Sequence, residues 1–202
     1  MIYNPLQPDF INDNQSINGT VNKDIVFFAG TICDWKGAGD LTEACYLLNG
    51  ADVKVTLKMA GKSGSYGEAI KKKYESSSWL HVLGKLPQRE LKDLYALSGV
   101  VCFPSWWENM PMVCIEAMAQ GAVVIGSNSG GMSEIIEDGV SGFLLPPGNP
   151  RLWADKIKEV LSLSDEERNL ISHNARKRIK SVFSLDRILD ETESYYNSIV
   201  NR

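Results

Sequence analysis

The sequence predicts an α/β protein built on a parallel sheet with crossover helices, and two observations carry that reading. Short apolar, β-branched or aromatic runs alternate with helical periodicity, and each run is followed within two residues by glycine or proline. The runs span 25–29, 53–59, 80–83, 100–103 and 122–125. Helical patterns follow at 40–48, 68–74, 89–97, 112–119 and, briefly, 133–137. Each helix comes after a strand, the order that right-handed strand–helix–strand units require.

The two ends of the chain depart from this alternation. Residues 1–24 are rich in Asn, Asp, Gln and Pro, show no period, and read as a linker or extended arm, so the folded unit is expected from Ile25. After Pro150 the pattern is helical only. Pro150 suits a first helical position before Leu152, Ile157, Val160 and Leu161, and Ser164 with Glu167 forms a capping box for the next helix. A third helix follows Ser184, with Leu185, Ile188, Leu189, Tyr195, Tyr196 and Ile199 at core-face spacing. The basic cluster Arg176, Lys177, Arg178 and Lys180 in the second of these helices reads as a solvated face.

Composition removes whole classes of function. The chain has 202 residues with 21 Lys plus Arg against 25 Asp plus Glu, a formal net charge of −4, so no nucleic-acid partner is expected. At 44% hydrophobic and 23% charged it is an ordinary globular sequence, long enough for one sizeable core. Cys33, Cys45, Cys102 and Cys114 are far apart and lie in apolar stretches, which reads as buried free thiols in a reducing compartment. With only His81 and His173 and no close Cys/His cluster, no metal site is expected. No basic leader precedes an apolar segment and no apolar run approaches ~18 residues, so the expectation is a cytoplasmic protein.

In an open α/β sheet, ligands bind beyond the carboxyl ends of the strands, where helix N-termini present free N–H groups. Here those ends carry Gly30, then Gly61, Gly64 and Gly67, then Gly84, then Pro104 to Met110, then Gly126, Gly130 and Gly131. Five small-residue loops on one rim favour a phosphate-bearing ligand. Two common phosphate motifs fail, however. Gly61-Lys62-Ser63 resembles the end of a Walker A loop, but Thr56 occupies the position of its first glycine. The first strand runs into Gly-Thr-Ile-Cys-Asp-Trp-Lys-Gly, not Gly-x-Gly-x-x-Gly. Lys36 remains there, either as a point charge for phosphate or as an exposed lysine before a helix.

The segment Pro104-Ser-Trp-Trp-Glu-Asn-Met-Pro is the most informative. Glu108 lies in the loop after the fourth strand, and Glu116 on the helix that Pro111 opens. First-turn N–H groups of that helix suit a diphosphate, and Glu116 suits two ribose hydroxyls; an ordinary helix salt bridge is the competing reading for Glu116. Trp106 and Trp107 are expected to pack the loop, with sugar or base stacking as the alternative.

Glu108 and Glu116 stand in a Glu-x7-Glu spacing followed by Ala-Met-Ala, then Gly121-Ala-Val-Val-Ile, Gly130-Gly131-x-x-Glu134 and Gly142-Phe-Leu-Leu-Pro-Pro-Gly. Upstream stand Phe28-Ala-Gly-Thr-x4-Lys36-Gly37, Leu83-Gly84-x-Leu86 and Glu90-Leu91-x-x-Leu94-Tyr95. This ordered series, over about residues 25–161, resembles the C-terminal, donor-binding domain of the group 1 (family 4) retaining glycosyltransferases, whose GT-B fold pairs two Rossmann-like domains. Ile2-Tyr-Asn-Pro-Leu is similar to that family's inter-domain connection.

The resemblance implies an α/β, Rossmann-like parallel sheet with flanking helices, one half of a GT-B fold, plus C-terminal helices. It divides the chain into an inter-domain arm at 1–24, a nucleotide-sugar-binding domain at 25–183, and a helix at 184–202 that crosses to an N-terminal domain. By the same resemblance Glu116 binds ribose hydroxyls and Glu108 addresses the donor sugar. Backbone amides near Asn109, Met110 and Met112 hold sugar hydroxyls and phosphate, Lys36 neutralises the diphosphate, and the backbone near Leu86 meets the base. Gly30 and Thr31 complete the donor loop; many members carry Arg where Thr31 stands, which implies one diphosphate charge partner fewer.

The implied reaction is transfer of a hexose-type sugar from a UDP- or GDP-sugar, with retention and without cofactor or metal, to a glycan or lipid-linked acceptor. The acceptor is expected on the N-terminal domain, at the inner face of a membrane in the whole enzyme, and the 202-residue chain alone is expected to be inactive. A nucleotide-sugar epimerase and a non-catalytic nucleotide-sugar-binding module are the rival readings.

Overall fold

The computed structural model describes residues 3, 4, 6, 10 and 20–200. Six strands, β1 (Asn22–Ala29), β2 (Thr56–Ala60), β3 (Leu80–Gly84), β4 (Ser98–Phe103), β5 (Val124–Ser127) and β6 (Phe143–Leu145), form one sheet in the order β3-β2-β1-β4-β5-β6. All five pairings are parallel. Crossovers are made by α1 (Ala38–Gly50), α2 (Ser65–Lys73), α3 (Gln88–Leu97), α4 (Met112–Ala119) and the short α5 (Met132–Ile135), and α6 (Pro150–Leu161), α7 (Asp165–Val182) and α8 (Leu185–Val200) complete the chain.

Alternation along the strands feeds two cores. Val26 and Phe28 of β1, with Val100 and Cys102 of β4, face Leu41, Cys45, Ile70, Trp153 and Ile157 from α1, α2 and α6. Phe27 and Ala29, with Val101 and Phe103, face Tyr95, Ile115, Met118 and Ile179 from α3, α4 and α7. A sheet covered on both sides is what nearly continuous apolar strands require, and every residue of β4 is buried. Strand order reverses between β1 and β4, so the loops leaving those two strands diverge and leave a crevice.

The expected boundaries shift at several places. Strand β1 starts at Asn22, not Ile25, and β2 starts at Thr56, with Val53 and Val55 leading into it. The sixth strand lies in Phe143–Leu145, whose three residues are too short to show an alternating pattern. Helix α4 runs over the expected residues, and Ser164 and Glu167 form the capping box reciprocally at the start of α7. The terminal arm lies mostly outside the described residues. Of its described part, Leu6 and Phe10 are buried among Phe27, Tyr95 and Phe183, and the Leu6 amide donates to the Phe183 carbonyl at 3.0 Å.

The basic cluster on α7 is more than a solvated face. Arg176 donates to the Gln120 carbonyl at 2.8 Å, and Arg178 donates to the carbonyls of Ile135 and Glu134, so both satisfy acceptors at the ends of other elements. Arg168, also on α7, is buried and donates to the carbonyls of Gly99 and Val160. Of the cysteines, Cys45, Cys102 and Cys114 are buried and free as expected, whereas Cys33 is only half-buried because it sits in the rim loop after β1.

Because Leu6 is 1% exposed and fills the core beneath α7, Leu6→Ala is expected to lower unfolding free energy by about 2–4 kcal/mol. Urea denaturation of the two proteins measures it, and a loss under about 0.5 kcal/mol would show that the arm contributes no core contact.

Candidate functional site

The crevice between β1 and β4 is where the chemistry-bearing side chains meet. After β1 the chain makes a 3-10 turn at Asp34–Lys36, ended by Gly37 at φ 68°. A Cβ on Gly37 would lie 2.2 Å from the Pro104 carbonyl oxygen, so only glycine lets this loop lie against the one after β4. The Trp106 amide donates to the Trp35 carbonyl at 2.9 Å across the same junction. With the backbones joined, Lys36 Nζ forms an ion pair with Glu108 Oε1, and Ser105 Oγ donates to the same oxygen at 3.0 Å. The side chains of Lys36 and Glu108 are only 18% and 12% exposed.

A second junction fixes the other side of Glu108. The Gly131 amide donates to the Glu108 carbonyl at 2.8 Å, and a Cβ on Gly130 or Gly131 would fall within about 2 Å of the carbonyl oxygen of Glu108 or Asn109. The glycine pair after β5 thus presses the 108–110 backbone toward the crevice. Pro111 then opens α4 without a side-chain cap, so first-turn N–H groups of α4 point to the same rim.

Glu116 lies on α4, about 6 Å along the helix from Met112. Tyr95 of α3 donates its hydroxyl to Glu116 Oε2 at 3.4 Å, and burial pushes the Glu116 carboxyl above the usual glutamate range, with the tyrosine bond opposing it. The partial burial of this carboxylate costs stability, since among the described residues its partner is a neutral hydroxyl. Among the described residues the hydrogen-bond partner of Glu116 is the Tyr95 hydroxyl, not a cation.

The model for glycosyl transferases group 1 matches residues 9–178. The chain belongs to the group 1 glycosyltransferase family. It is 30% identical over 191 residues to spore coat protein SA of Bacillus subtilis, covering 88% of this chain and 50% of that protein. It is equally 30% identical over 207 residues to an uncharacterized glycosyltransferase of Methanocaldococcus jannaschii, covering 97% and 53%. The chain therefore spans about half the length of the curated relatives it matches. Among solved structures, Anabaena HepE in complex with UDP and glucose superposes with a TM-score of 0.79 at 23% identity, covering 98% of this chain and 56% of that one. A C-terminal domain of a group 1 family protein from Francisella tularensis aligns with 91% of this chain and 97% of its own, at TM-score 0.71 and 20% identity. The fold is one Rossmann-like half of a GT-B glycosyltransferase.

Within this glycosyltransferase domain the expected residues fall into two groups. Lys36, Glu108, Asn109 and the start of α4 gather around the crevice, while Glu116 sits one turn deeper beside Tyr95. Gly30 follows β1, where its amide donates to the Ala60 carbonyl at 2.9 Å, and Thr31 is exposed beside it. Leu86, Met110 and Met112 pack partly against the core formed by α3 and α4, which puts the β3 loop and α4 on one face of the sheet. Sequence reasoning missed Ser105, which no spacing rule flags, and the Tyr95 hydroxyl, whose only signal was a tyrosine on the neighbouring helix. Trp106 and Trp107 remain 53% and 62% exposed, so neither indole is packed into the loop as expected, although the Trp106 ring edge lies against Gly148.

The raised Glu116 carboxyl fixes the sign of a pH effect. The native state holds that proton more tightly than the unfolded chain, so its contribution to stability is full below the usual glutamate range and is lost as pH rises through the raised value. Glu116→Gln keeps an acceptor for Tyr95 without the charge. The variant's stability relative to the parent is therefore expected to improve from pH 4 to pH 7, as read from thermal melts across that interval. A difference that stays flat or runs the other way would remove the burial argument.

Proposed function

We propose that this domain binds a nucleotide sugar and supplies the donor half of a retaining glycosyltransferase that moves a hexose-type sugar to a glycan or lipid-linked acceptor. The Lys36–Glu108 pair at the sheet's switch point, with Glu116 one helix turn away, is the observation that carries this reading. In it, Glu116 accepts hydrogen bonds from two ribose hydroxyls, the base lies by the Leu86 backbone, and the diphosphate takes the N–H groups of α4 near Met112 together with Lys36. Gly30 and Thr31 border the phosphates; Glu108 and the backbone of Asn109 and Met110 face the sugar.

In transfer, the bond from the anomeric carbon to the diphosphate oxygen breaks and a bond to an acceptor hydroxyl oxygen forms. The acceptor proton leaves with the diphosphate. Negative charge grows on the leaving group, where a fixed ammonium and a helix N-terminus lower the barrier without reorganising. The relatives support the donor class in their own right: HepE was solved with UDP and glucose, and another relative is a mannosyltransferase. A nucleoside diphosphate sugar is proposed as substrate, and no separate cofactor or metal is invoked.

The ion pair changes what a variant should do. Lys36 must exchange the Glu108 carboxylate for the diphosphate, so Glu108→Gln frees the ammonium and should leave UDP or GDP affinity equal or higher. Glu116→Gln should weaken the same nucleotide about tenfold or more, having lost two charge-assisted hydrogen bonds. Lys36→Ala should weaken the diphosphate more than the matching nucleoside. Calorimetry on the three variants tests the reading, which fails if Glu116→Gln binds UDP and GDP as the parent does.

Turnover needs a positioned acceptor, and positioning supplies about 7–11 kcal/mol of such barriers. The 202-residue chain is accordingly expected to transfer no sugar from UDP-glucose to glycan acceptors by itself, and to do so once an N-terminal GT-B domain is supplied. Product analysis by mass spectrometry decides it; full turnover by the chain alone would overturn the half-enzyme reading.

A further inference from the structure

The arm at the start of the chain reaches the crevice through an unbroken run of polar contacts. Tyr3 donates its hydroxyl to Glu134 Oε2 at 2.8 Å. The Glu134 amide donates to the Gly131 carbonyl at 3.1 Å, the Gly131 amide donates to the Glu108 carbonyl at 2.8 Å, and the Glu108 carboxylate pairs with Lys36. Tyr3 is thereby joined to the ion pair, and sugar transfer as proposed above uses only the last of these contacts.

Neither end of the run is loose. The Tyr3 ring lies 5.1 Å from the ring of Phe183, and the buried Leu6 places its amide on the Phe183 carbonyl, so the phenol stands beside residues seated in the core. At the other end a Cβ on Gly130 or Gly131 would fall 2.0 or 1.9 Å from the carbonyl oxygen of Glu108 or Asn109. Backbones in such contact move together, because no soft side chain lies between them to absorb a shift.

Helix α5 is the part that needs holding. Its four residues, Met132–Ile135, are too few to be stable as a helix alone. Met132 and Ile135 bury its inner face, but apolar contact has no preferred direction. Directed bonds set its rotation and height: Arg178 of α7 donates to the carbonyls of Glu134 and Ile135, and Tyr3 takes the Glu134 side chain. The arm meets α4 similarly, since the Gln120 side-chain amide, just past the end of that helix, donates to the Phe10 carbonyl at 3.0 Å. The arm therefore contacts both short helices that border the 108–112 backbone.

We propose that Tyr3 is a positioning residue for the crevice: through Glu134 and the glycine pair, its hydroxyl holds the 108–110 backbone in place. The inference rests on the reading of this crevice as a nucleotide-sugar site and adds to it a contact from the arm, made beyond α5. A change in the path of the arm is then felt at Glu108.

Amide exchange of the free 202-residue chain, read residue by residue by NMR, tests the coupling without any ligand. Tyr3→Phe keeps the ring beside Phe183 and removes one hydrogen bond, so the Gly131 amide should exchange about tenfold faster while amides of β4 and α1 keep the parent's rates. Glu134→Ala should act alike, and the double variant should exchange Gly131 no faster than Glu134→Ala alone, since both changes remove one contact. Glu134→Gln keeps an acceptor for the hydroxyl and should restore the parent's rate. In calorimetry Tyr3→Phe should weaken UDP or GDP about three- to tenfold, and Glu134→Gln should bind as the parent does.

The proposal is overturned if Tyr3→Phe leaves the Gly131 amide at the parent's rate, speeds exchange equally throughout the chain, or loosens Gly131 without weakening a nucleotide that the parent binds. If the parent binds neither UDP nor GDP, the donor reading fails, and the exchange rates alone decide whether Tyr3 holds the loop.

Discussion

Everything at the crevice depends on how closely the loop after β1 can lie against the loop after β4. Gly37 is the residue that permits it, since any side chain would strike the Pro104 carbonyl at 2.2 Å. Only with that contact does Lys36 reach Glu108, because the chain leaves the paired strands β1 and β4 toward opposite faces of the sheet. The Trp35–Trp106 backbone bond locks the same junction. One steric allowance therefore positions a cation and an anion together, at the ends of paired strands.

Glu108 and Glu116 occupy different electrostatic settings although only seven residues lie between them. Glu108 has a cation and a serine hydroxyl on one oxygen, which compensates its low exposure. Glu116 has, among the described residues, a neutral hydroxyl as its partner and is lifted by burial. A carboxylate kept dry without a counter-charge destabilises the fold, and it becomes a strong acceptor for hydroxyl groups that arrive with a ligand. The cost in the free protein and the affinity for a diol come from the same desolvation.

Much of this was legible in the sequence, for identifiable reasons. Helix α4 was readable because Pro111 opens it and Gly121 closes the turn after it. The parallel sheet followed from runs punctuated by glycine, and Lys36, Glu108 and Glu116 each stood on a recognisable loop or helix. What spacing could not show is that Lys36 and Glu108 pair, because they are 72 residues apart and meet only in the strand order that puts β4 beside β1. Residues Phe143–Leu145 lacked the length to declare a strand, and the arm's Asn-rich composition hid Leu6 and Phe10, single apolar residues that bury one at a time. The arginines of α7 looked solvated for a similar reason: their acceptors are carbonyls of distant elements, which no local pattern reveals.

The ion pair also bears on how such a site stays ready for a charged ligand. An unpaired ammonium at the rim would be free to fold onto other carboxylates, and an unpaired Glu108 would raise the cost of its low exposure. Pairing holds both groups at the crevice, and exchanging one anion for another at Lys36 trades a charge-assisted contact for a comparable one. Part of the affinity that Lys36 offers a diphosphate is then offset by its lost pairing with Glu108. The larger share must come from groups that gain a partner only on binding, the first-turn amides of α4 and the half-dry carboxylate of Glu116. Lys36 is in this view chiefly a fixed charge awaiting the moment when the bound diphosphate becomes a leaving group, and its contribution grows as negative charge develops there.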